Sequence, residues 1–272
     1  MFVIAQISDT HIKPEGRLAY DRVDTAAALA TCVAAINRLD PKPDLVLATG
    51  DLVDAGRRDE YDRLRSLLAP LDMPVYLIPG NHDDRDAMRA VFPDHRYLGS
   101  EGFIQYAVEN LPIRLLALDT LIPGKGGGEL CDERLAWLDR TLSAAPERPT
   151  IVFLHHPPFR SHIPGMDQFG LAGTVGLNAV IRRHAQVERL LCGHLHRPIE
   201  VRFAGTIAST CPSPAHQINL DLRPEGLFGY ILEPPGFQLH VHVEGHPLVT
   251  HTVPIGDWPG PYPFSFKRPQ AS

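Results

Sequence analysis

Aspartate, asparagine and histidine gather at five places in this chain. The stretch LLCGHLHRP, Leu190–Pro198, sets His194 and His196 one residue apart, directly after an apolar run and a glycine. Two imidazoles so spaced suit metal ligands, an acid–base couple or ordinary surface histidines, and spacing alone leaves all three open. The other clusters are SDTH (8–11), TGDLVD (49–54), PGNHDD (79–84) and HHPP (155–158). One histidine in such a setting is more often a surface or hydrogen-bonding residue than a ligand. Five clusters that each follow an apolar run reverse that balance.

Asp9, His11, Asp51, Asn81, His155, His194 and His196 make a set of seven candidate ligands. Carboxylate, imidazole and amide oxygen suit zinc, manganese, iron or cobalt. Seven donors exceed what one catalytic ion needs with positions left open. They fit two ions if one carboxylate bridges, and a pair ~3.5–4 Å apart can hold the attacking and leaving oxygens of a phosphoryl centre. Asp9 and His11, like His194 and His196, are spaced so that two side chains leave an extended segment on the same side. Gly50, Gly80 and Gly193 each precede a candidate ligand, where a side chain would crowd the ion or force a disfavoured backbone angle.

Such a set needs strands to deliver it. Phe2–Ile7, Leu45–Ala48, Val75–Ile78, Ile151–Leu154 and Leu190–Cys192 read as buried strands, and each cluster stands just beyond one of them. In layered α/β folds the carboxyl ends of strands are where ligands gather. Between them lie helical periodicities: Leu29, Cys32, Val33 and Ile36 behind an N-cap at Asp24; Tyr61, Leu64, Leu67 and Leu68 within 57–68; Leu135, Leu138 and Leu142; and 175–184. Ile104–Val108 and Ile113–Leu118 read as adjacent strands. After Pro198 helical periodicity stops, and 201–203, 206–209, 229–232, 237–243 and 249–253 read as strands. The prediction is one layered α/β unit with a strand-rich C-terminal portion. Its catalytic part spans 1–216; the strand-rich extension, 217–272, packs on that part or forms an oligomer interface. The proline- and aromatic-rich tail from Gly256 is expected on a surface.

Composition bounds the alternatives. The chain has 272 residues, 44% hydrophobic and 21% charged, as expected for a soluble globular protein. The net charge of −6 and the lack of a basic tract argue against a nucleic-acid polymer as partner. They do not argue against a small phosphate substrate. Cys32, Cys131, Cys192 and Cys211 are scattered, which predicts reduced, mostly packed thiols. No apolar stretch reaches the ~20 residues of a membrane span, and the N-terminus carries no basic leader. A cytoplasmic protein is expected.

In their order along the chain, D-x-H, G-D, G-N-H-D, H-H-P and G-H-x-H resemble the calcineurin-like dinuclear metallophosphoesterases. The match is closest to the bacterial branch of class III cyclic nucleotide phosphodiesterases and glycerophosphodiesterases. AGRRDEY after Asp51, YLIPGNHDD and CGHLH are more similar to the latter. The resemblance covers 1 to about 216 and implies a β-sandwich flanked by helices. It implies that Asp9, His11 and His196 hold one ion, that Asn81, His155 and His194 hold the other, and that Asp51 bridges. His82 would lie beside the substrate phosphate, as catalytic residue and substrate contact together with Asn81. The implied reaction is hydrolysis by a metal-bound hydroxide, available near neutral pH because a catalytic zinc lowers water's pKa to roughly 7. Glycerophosphodiesters are the leading substrates and 3′,5′-cyclic nucleotides the alternative. A dimer or higher homo-oligomer is implied as well.

Other residues divide by context. Asp54 and His156 read as supports for ligands. Asp83 and Asp84 read as a helix N-cap and its neighbour, and Cys192 as core. His216, in SPAHQ, matches a comparable His-Gln of the related glycerophosphodiesterases and is a candidate for the substrate phosphate. Tyr20 and Arg58 read as solvated side chains, with a place on the substrate rim as the alternative. His240, His242, His246 and His251 read as the polar face of strands, against a further metal site. A module that binds metal without catalysis is the competing class; the intact donor set and His82 speak against it. A nuclease of the same superfamily is disfavoured by the acidic balance.

Overall fold

The structure, a computed structural model, describes residues 1–264. The chain runs β1 (Phe2–Ile7), α1 (Thr25–Asn37), β2 (Leu45–Thr49), α2 (Arg58–Leu68), β3 (Val75–Ile78), α3 (Arg85–Val91), β4 (Tyr106–Val108) and β5 (Arg114–Leu118). It continues through β6 (Gly128–Glu129), α4 (Asp132–Ser143), β7 (Thr150–Leu154), β8 (Leu171–Ala172), α5 (Thr174–Arg182) and β9 (Val187–Cys192). The rest is strand: β10 (Ile199–Phe203), β11 (Thr206–Thr210), β12 (Gln217–Ile218), β13 (Tyr230–Ile231), β14 (Gly236–His242) and β15 (Val249–Pro254).

Two sheets form the sandwich. One has the order β15-β14-β1-β2-β3, the other β10-β11-β9-β7-β5-β4. Each has a parallel run (β1-β2-β3 and β5-β7-β9-β11); β14 and β15 extend the first antiparallel, and β4 and β10 flank the second antiparallel. Parallel strands covered on both faces must be apolar throughout, and β2, β5 and β7 are buried at every residue. The period of two then splits their side chains between two cores. Leu115, Ala117, Ile151, Phe153 and Leu191 face the first sheet and share a core with Ile4, Val46 and helices α1–α3. Leu116, Leu118, Val152, Leu154, Leu190 and Cys192 face outward against Leu138 and Leu142 of α4 and Leu177, Val180 and Ile181 of α5. Truncating Phe153 to Ala would cost about 3–5 kcal/mol.

The C-terminal strands are part of this frame. β14 lies antiparallel to β1, Val3 opposite Val241, and β15 forms the sheet edge. His240 and His242 are buried, not on a solvated face, because β14 is covered on the sandwich side. The Nε2 and Nδ1 atoms of His240 lie 3.0 Å from Gln6 Oε1 and 2.8 Å from Thr250 Oγ1. His246 and His251 are exposed. The tail from Gly256 is exposed and irregular to residue 264, and its remainder lies outside the described residues.

Of α3 the sequence reading has only a start, the cap at Asp83 and Asp84. RDAMRAV carries only two buried apolar side chains, Met88 and Val91, too few for a period. Its cap is legible: the Asp84 side chain accepts hydrogen bonds from Asp86 and Ala87 N–H.

Candidate active site

The turns after β1 and β2 are bonded to each other. Asp9 N–H donates to Gly50 O at 3.0 Å and His11 N–H to Asp51 O at 3.0 Å. Beyond β9, His194 N–H donates to both carboxylate oxygens of Asp9, at 2.9 and 3.1 Å, and so ties the second sheet to the first. The backbone here is not extended. Asp9, His11, Asp51, His194 and His196 have φ of 56°, 42°, 49°, 71° and 52°, the left-handed region. The two-residue spacing does bring its side chains together, but through left-handed turns and not through strand alternation. Gly80 shows why a side chain is barred: its Cβ would stand 2.3 Å from both Asp51 N and Asp51 Oδ1.

All seven candidate ligands converge. His11 Nε2 lies 3.2 Å from His196 Nε2, which is 3.5 Å from Asp9 Oδ1. Asn81 Oδ1 lies 3.2 Å from His155 Nε2 and 3.1 Å from His194 Nδ1. Asp51 Oδ2 stands between the two groups, 3.8 Å from His11 Nε2 and 3.3 Å from His155 Nε2. Asp9, His11, Asp51, His155, His194 and His196 are nearly or fully buried.

Neighbours fix the ring orientations. His155 Nδ1–H donates to Thr49 O at 2.8 Å and His196 Nδ1–H to His216 O at 3.1 Å, which turns each Nε2 lone pair inward. Burial and the nearby His216 and His194 rings keep His196 far below its ordinary pKa, and burial with the His155 charge pulls His194 down to about 3. Both are therefore neutral donors. Burial raises the Asp51 carboxyl, but His155 outweighs it and holds Asp51 well below the usual range. Burial also opposes charge on His155, yet Asp51 and Asp9 lift it to about 9, so its Nε2 holds a proton toward Asp51 that a cation would displace. Inward-facing lone pairs, an amide oxygen and two carboxylates in one dry space fit two divalent cations. The ligand atoms of Asp9, His11 and His196 lie within 4.8 Å of one another, as do those of Asp9, Asp51 and His155.

His82 stands at the edge of this cluster. Its N–H donates to Asp51 Oδ1 at 2.9 Å, and its Nδ1–H to Asp54 O at 2.7 Å, which leaves Nε2 to meet a substrate. Burial lowers its pKa, but Asp51 and Asp54 raise it further, so the net shift is upward. Asp54 also accepts from Lys13 and lies 3.8 Å from His11 Nδ1. His156 is buried, with Nδ1 2.8 Å from Thr120 Oγ1 and Nε2 3.2 Å from Gly126 O. It holds the 124–130 loop against the ligand strand. His216 is buried too; its ring packs between His196 and the pair Tyr20 and Tyr230. Tyr20 is on the cavity wall, whereas Arg58 is solvated beside Asp62.

Two kinds of functional residue were missed in the sequence. Asp83 is not the α3 cap, which Asp84 provides; it accepts from Gly80, Leu52 and Val53 N–H and from Tyr61 O–H. Met166, Phe169, Ile218 and Phe228 wall the cavity. The run Gly126-Gly127-Gly128 was the available signal for close packing there. A Cβ on Gly126 would meet the Phe169 ring at 2.8 Å, and one on Gly128 would meet His156 Nδ1 at 2.3 Å.

Comparison with known proteins agrees with this geometry. Residues 2–198 match the calcineurin-like phosphoesterase family. A probable glycerophosphodiester phosphodiesterase from Arcobacter nitrofigilis is 41% identical over 263 residues, 96% of each chain. A 3′,5′-cyclic adenosine monophosphate phosphodiesterase from Pseudomonas aeruginosa is 34% identical over 198 residues, 73% of this chain and 71% of that one. Among solved structures, a dimetal phosphatase from Danio rerio shares the fold, with a TM-score of 0.70 and 16% identity across 94% of this chain and 97% of that one. The chain belongs to the calcineurin-like phosphoesterases.

Proposed function

We propose that this metal-dependent phosphodiesterase hydrolyses small phosphodiesters, glycerophosphodiesters before 3′,5′-cyclic nucleotides. The observation that carries the reading is the convergence of seven donors in two groups joined by Asp51, beside a cavity lined by Asn81 and His82. The preference for glycerophosphodiesters is supported by 41% identity over 96% of the chain to a relative of that name, against 39% over 90% for a probable cyclic nucleotide phosphodiesterase from Rhodopseudomonas palustris.

In this reading Asp9, His11 and His196 hold one cation, Asn81, His155 and His194 the other, and Asp51 both. Iron, manganese, zinc or cobalt would suit the donors. Bound there, two cations supply Lewis-acid activation of water and of the phosphoryl oxygens. The chain's own part is placement and charge. Asn81 and His82 orient the phosphoryl group at the junction of the turns after β2 and β3. His82 holds a proton on Nε2 toward the charge that builds on the phosphoryl and leaving oxygens. His216 is the third substrate contact we propose, since both of its buried ring nitrogens lack a hydrogen-bond partner.

Assembly as a homo-oligomer through the strand-rich segment 226–253 and residence in the cytoplasm complete the proposal. Exposed Leu227, Leu232 and Val249 support the first, and four unpaired cysteines the second. No helix among the described residues is long and apolar enough to cross a membrane. A kinetic panel of glycerophosphodiesters, cyclic nucleotides and phosphomonoesters at matched metal loading tests the substrate. Higher kcat/KM for glycerophosphodiesters is expected; a preference for cyclic nucleotides would replace that class. Failure of the folded, metal-loaded protein to turn over bis(p-nitrophenyl) phosphate with any divalent ion would sink the enzyme reading.

A further inference from the structure

Two cavities diverge from Asn81 and His82, and their walls are unlike. One, of about 560 Å³, is lined by Asp84, Arg85 and Arg89. Its cations are already committed: Arg85 donates to both carboxylate oxygens of Asp119, and Arg89 to the carbonyls of Leu98, Glu101 and Gly102. Asp84 caps α3 through Oδ1, and Asp86 pairs with Arg89 at 3.3 Å. The space is polar without a free cation among these residues, which suits an uncharged, hydroxylated group.

The other cavity, of about 320 Å³, has the candidate ligands as its floor and aromatic walls. Tyr20 stacks on Tyr230 at 4.5 Å and 20°, and Phe169 lies 6.3 Å from Phe228. Phe228 and Tyr230 are two residues apart, so one segment serves both walls. A Cβ on Gly165 would stand 2.3 Å from Phe228 Cδ2, so the 163–174 loop makes room for that ring. Even so, Tyr20 and Phe228 are 56% and 52% exposed. Large apolar rings left open at a cavity mouth mark a binding surface.

We propose that the substrate is an asymmetric phosphodiester, with an apolar ester arm received between Tyr20–Tyr230 and Phe169–Phe228 and a neutral hydroxylated arm in the opposite cavity. Phe169 and Phe228 are then specificity-determining residues. The proposal rests on the hydrolase reading above and extends it to the two arms. It is tested with glycerol 3-phosphate esters of methanol, butanol and octanol, comparing kcat/KM at matched manganese loading. The native protein should gain up to about fourfold for each methylene that the wall covers. Phe228→Ser and Phe169→Ser should each cut the octyl-to-methyl ratio by about tenfold or more. Val175→Ser alters an exposed apolar side chain that lines neither cavity, and should leave the ratio unchanged. A flat series in the native protein, or a ratio lowered equally by Val175→Ser, would overturn the arm assignment. Equal turnover of all three esters removes only that assignment, whereas turnover of none, the methyl ester included, removes the glycerophosphodiester reading with it.

Discussion

Asp83 is where the two turns that carry Asp51 and Asn81 are fastened together. Its Oδ2 accepts from Gly80 N–H at 2.8 Å and Leu52 N–H at 3.1 Å, and its Oδ1 from Tyr61 O–H at 2.7 Å. Asp83→Ala strands the buried amides of Gly80 and Leu52, and that of Val53, held more weakly at 3.4 Å. Each unsatisfied donor costs about 1–3 kcal/mol, so the first two alone should cost about 2–6 kcal/mol. That is a large part of the 5–15 kcal/mol typical of a domain. Asp83→Asn should behave differently. Burial, with Asp51 next, pushes the carboxyl up to about 6, so the fold does not depend on a full charge at this point. An amide can turn its oxygen to Gly80 and Leu52 and its nitrogen to the Tyr61 hydroxyl, which also accepts. The expected cost is about 1 kcal/mol. Urea unfolding of the metal-free variants at neutral pH measures both. Equal destabilisation by Ala and Asn, or an Ala variant within ~1 kcal/mol of the native chain, would refute the fastening role.

Asp51→Ala should leave the purified protein nearly free of metal and Asn81→Ala close to one ion per chain; equal loss from each, by elemental analysis, would contradict the bridging role. Gly80→Ala should lower kcat/KM about a hundredfold or more and destabilise the fold, since a Cβ 2.3 Å from both Asp51 N and Asp51 Oδ1 must move backbone and carboxylate together. Asp167 is raised by burial, but the Ser161 hydroxyl and amide outweigh it and hold the carboxyl below its ordinary range. Its contribution is therefore present above the unfolded pKa of about 4 and lost as pH falls through the lower folded value. Hydrogen exchange across 160–169 should show protection that fades in acid for the native chain and is weak throughout for Asp167→Ala. Manganese at about a hundred times its dissociation constant should stabilise the fold by about 2.7 kcal/mol, a Tm rise of roughly 5–10 °C. An unchanged Tm in calorimetry would count against a preformed site.

The parallel centre of each sheet was legible because burial on both faces leaves short apolar runs that end abruptly at polar clusters, as ATGD and LHHP do. Legibility failed where a residue's role depends on partners far along the chain. α3 is short and buries only Met88 and Val91, so its period carries no signal. His240 looked like the polar face of a strand; only the placement of β14 beside β1 puts its ring against Gln6, 234 residues away in sequence. The aromatic walls were hidden for the same reason. Tyr20 and Tyr230 stack across almost the whole chain, and neither stands in a pattern that betrays the other.

The left-handed turns explain why the donors are the residue types they are. Five of the seven candidate ligands sit at positive φ, each at a cost of about 1–3 kcal/mol, together comparable to the stability of a whole domain. Glycine would relieve that cost but supply no donor. Aspartate and histidine are both good ligands and, among residues with a side chain, tolerant of this backbone region. The remaining strain has to be held by bonds to neighbouring turns, and these are present at the strained residues. Asp9 and His11 donate their N–H groups to the turn after β2, and His194 donates to Asp9. Placing the strain beyond the strand ends leaves the apolar registers regular up to those ends; the β7–β9 shift between Thr150 and Ile151 lies at the opposite end of β7. A sandwich core can therefore carry a cluster that is locally unfavourable, provided the turns stay fastened to one another, which is why removal of a fastener such as Asp83 should disturb the site as well as the fold.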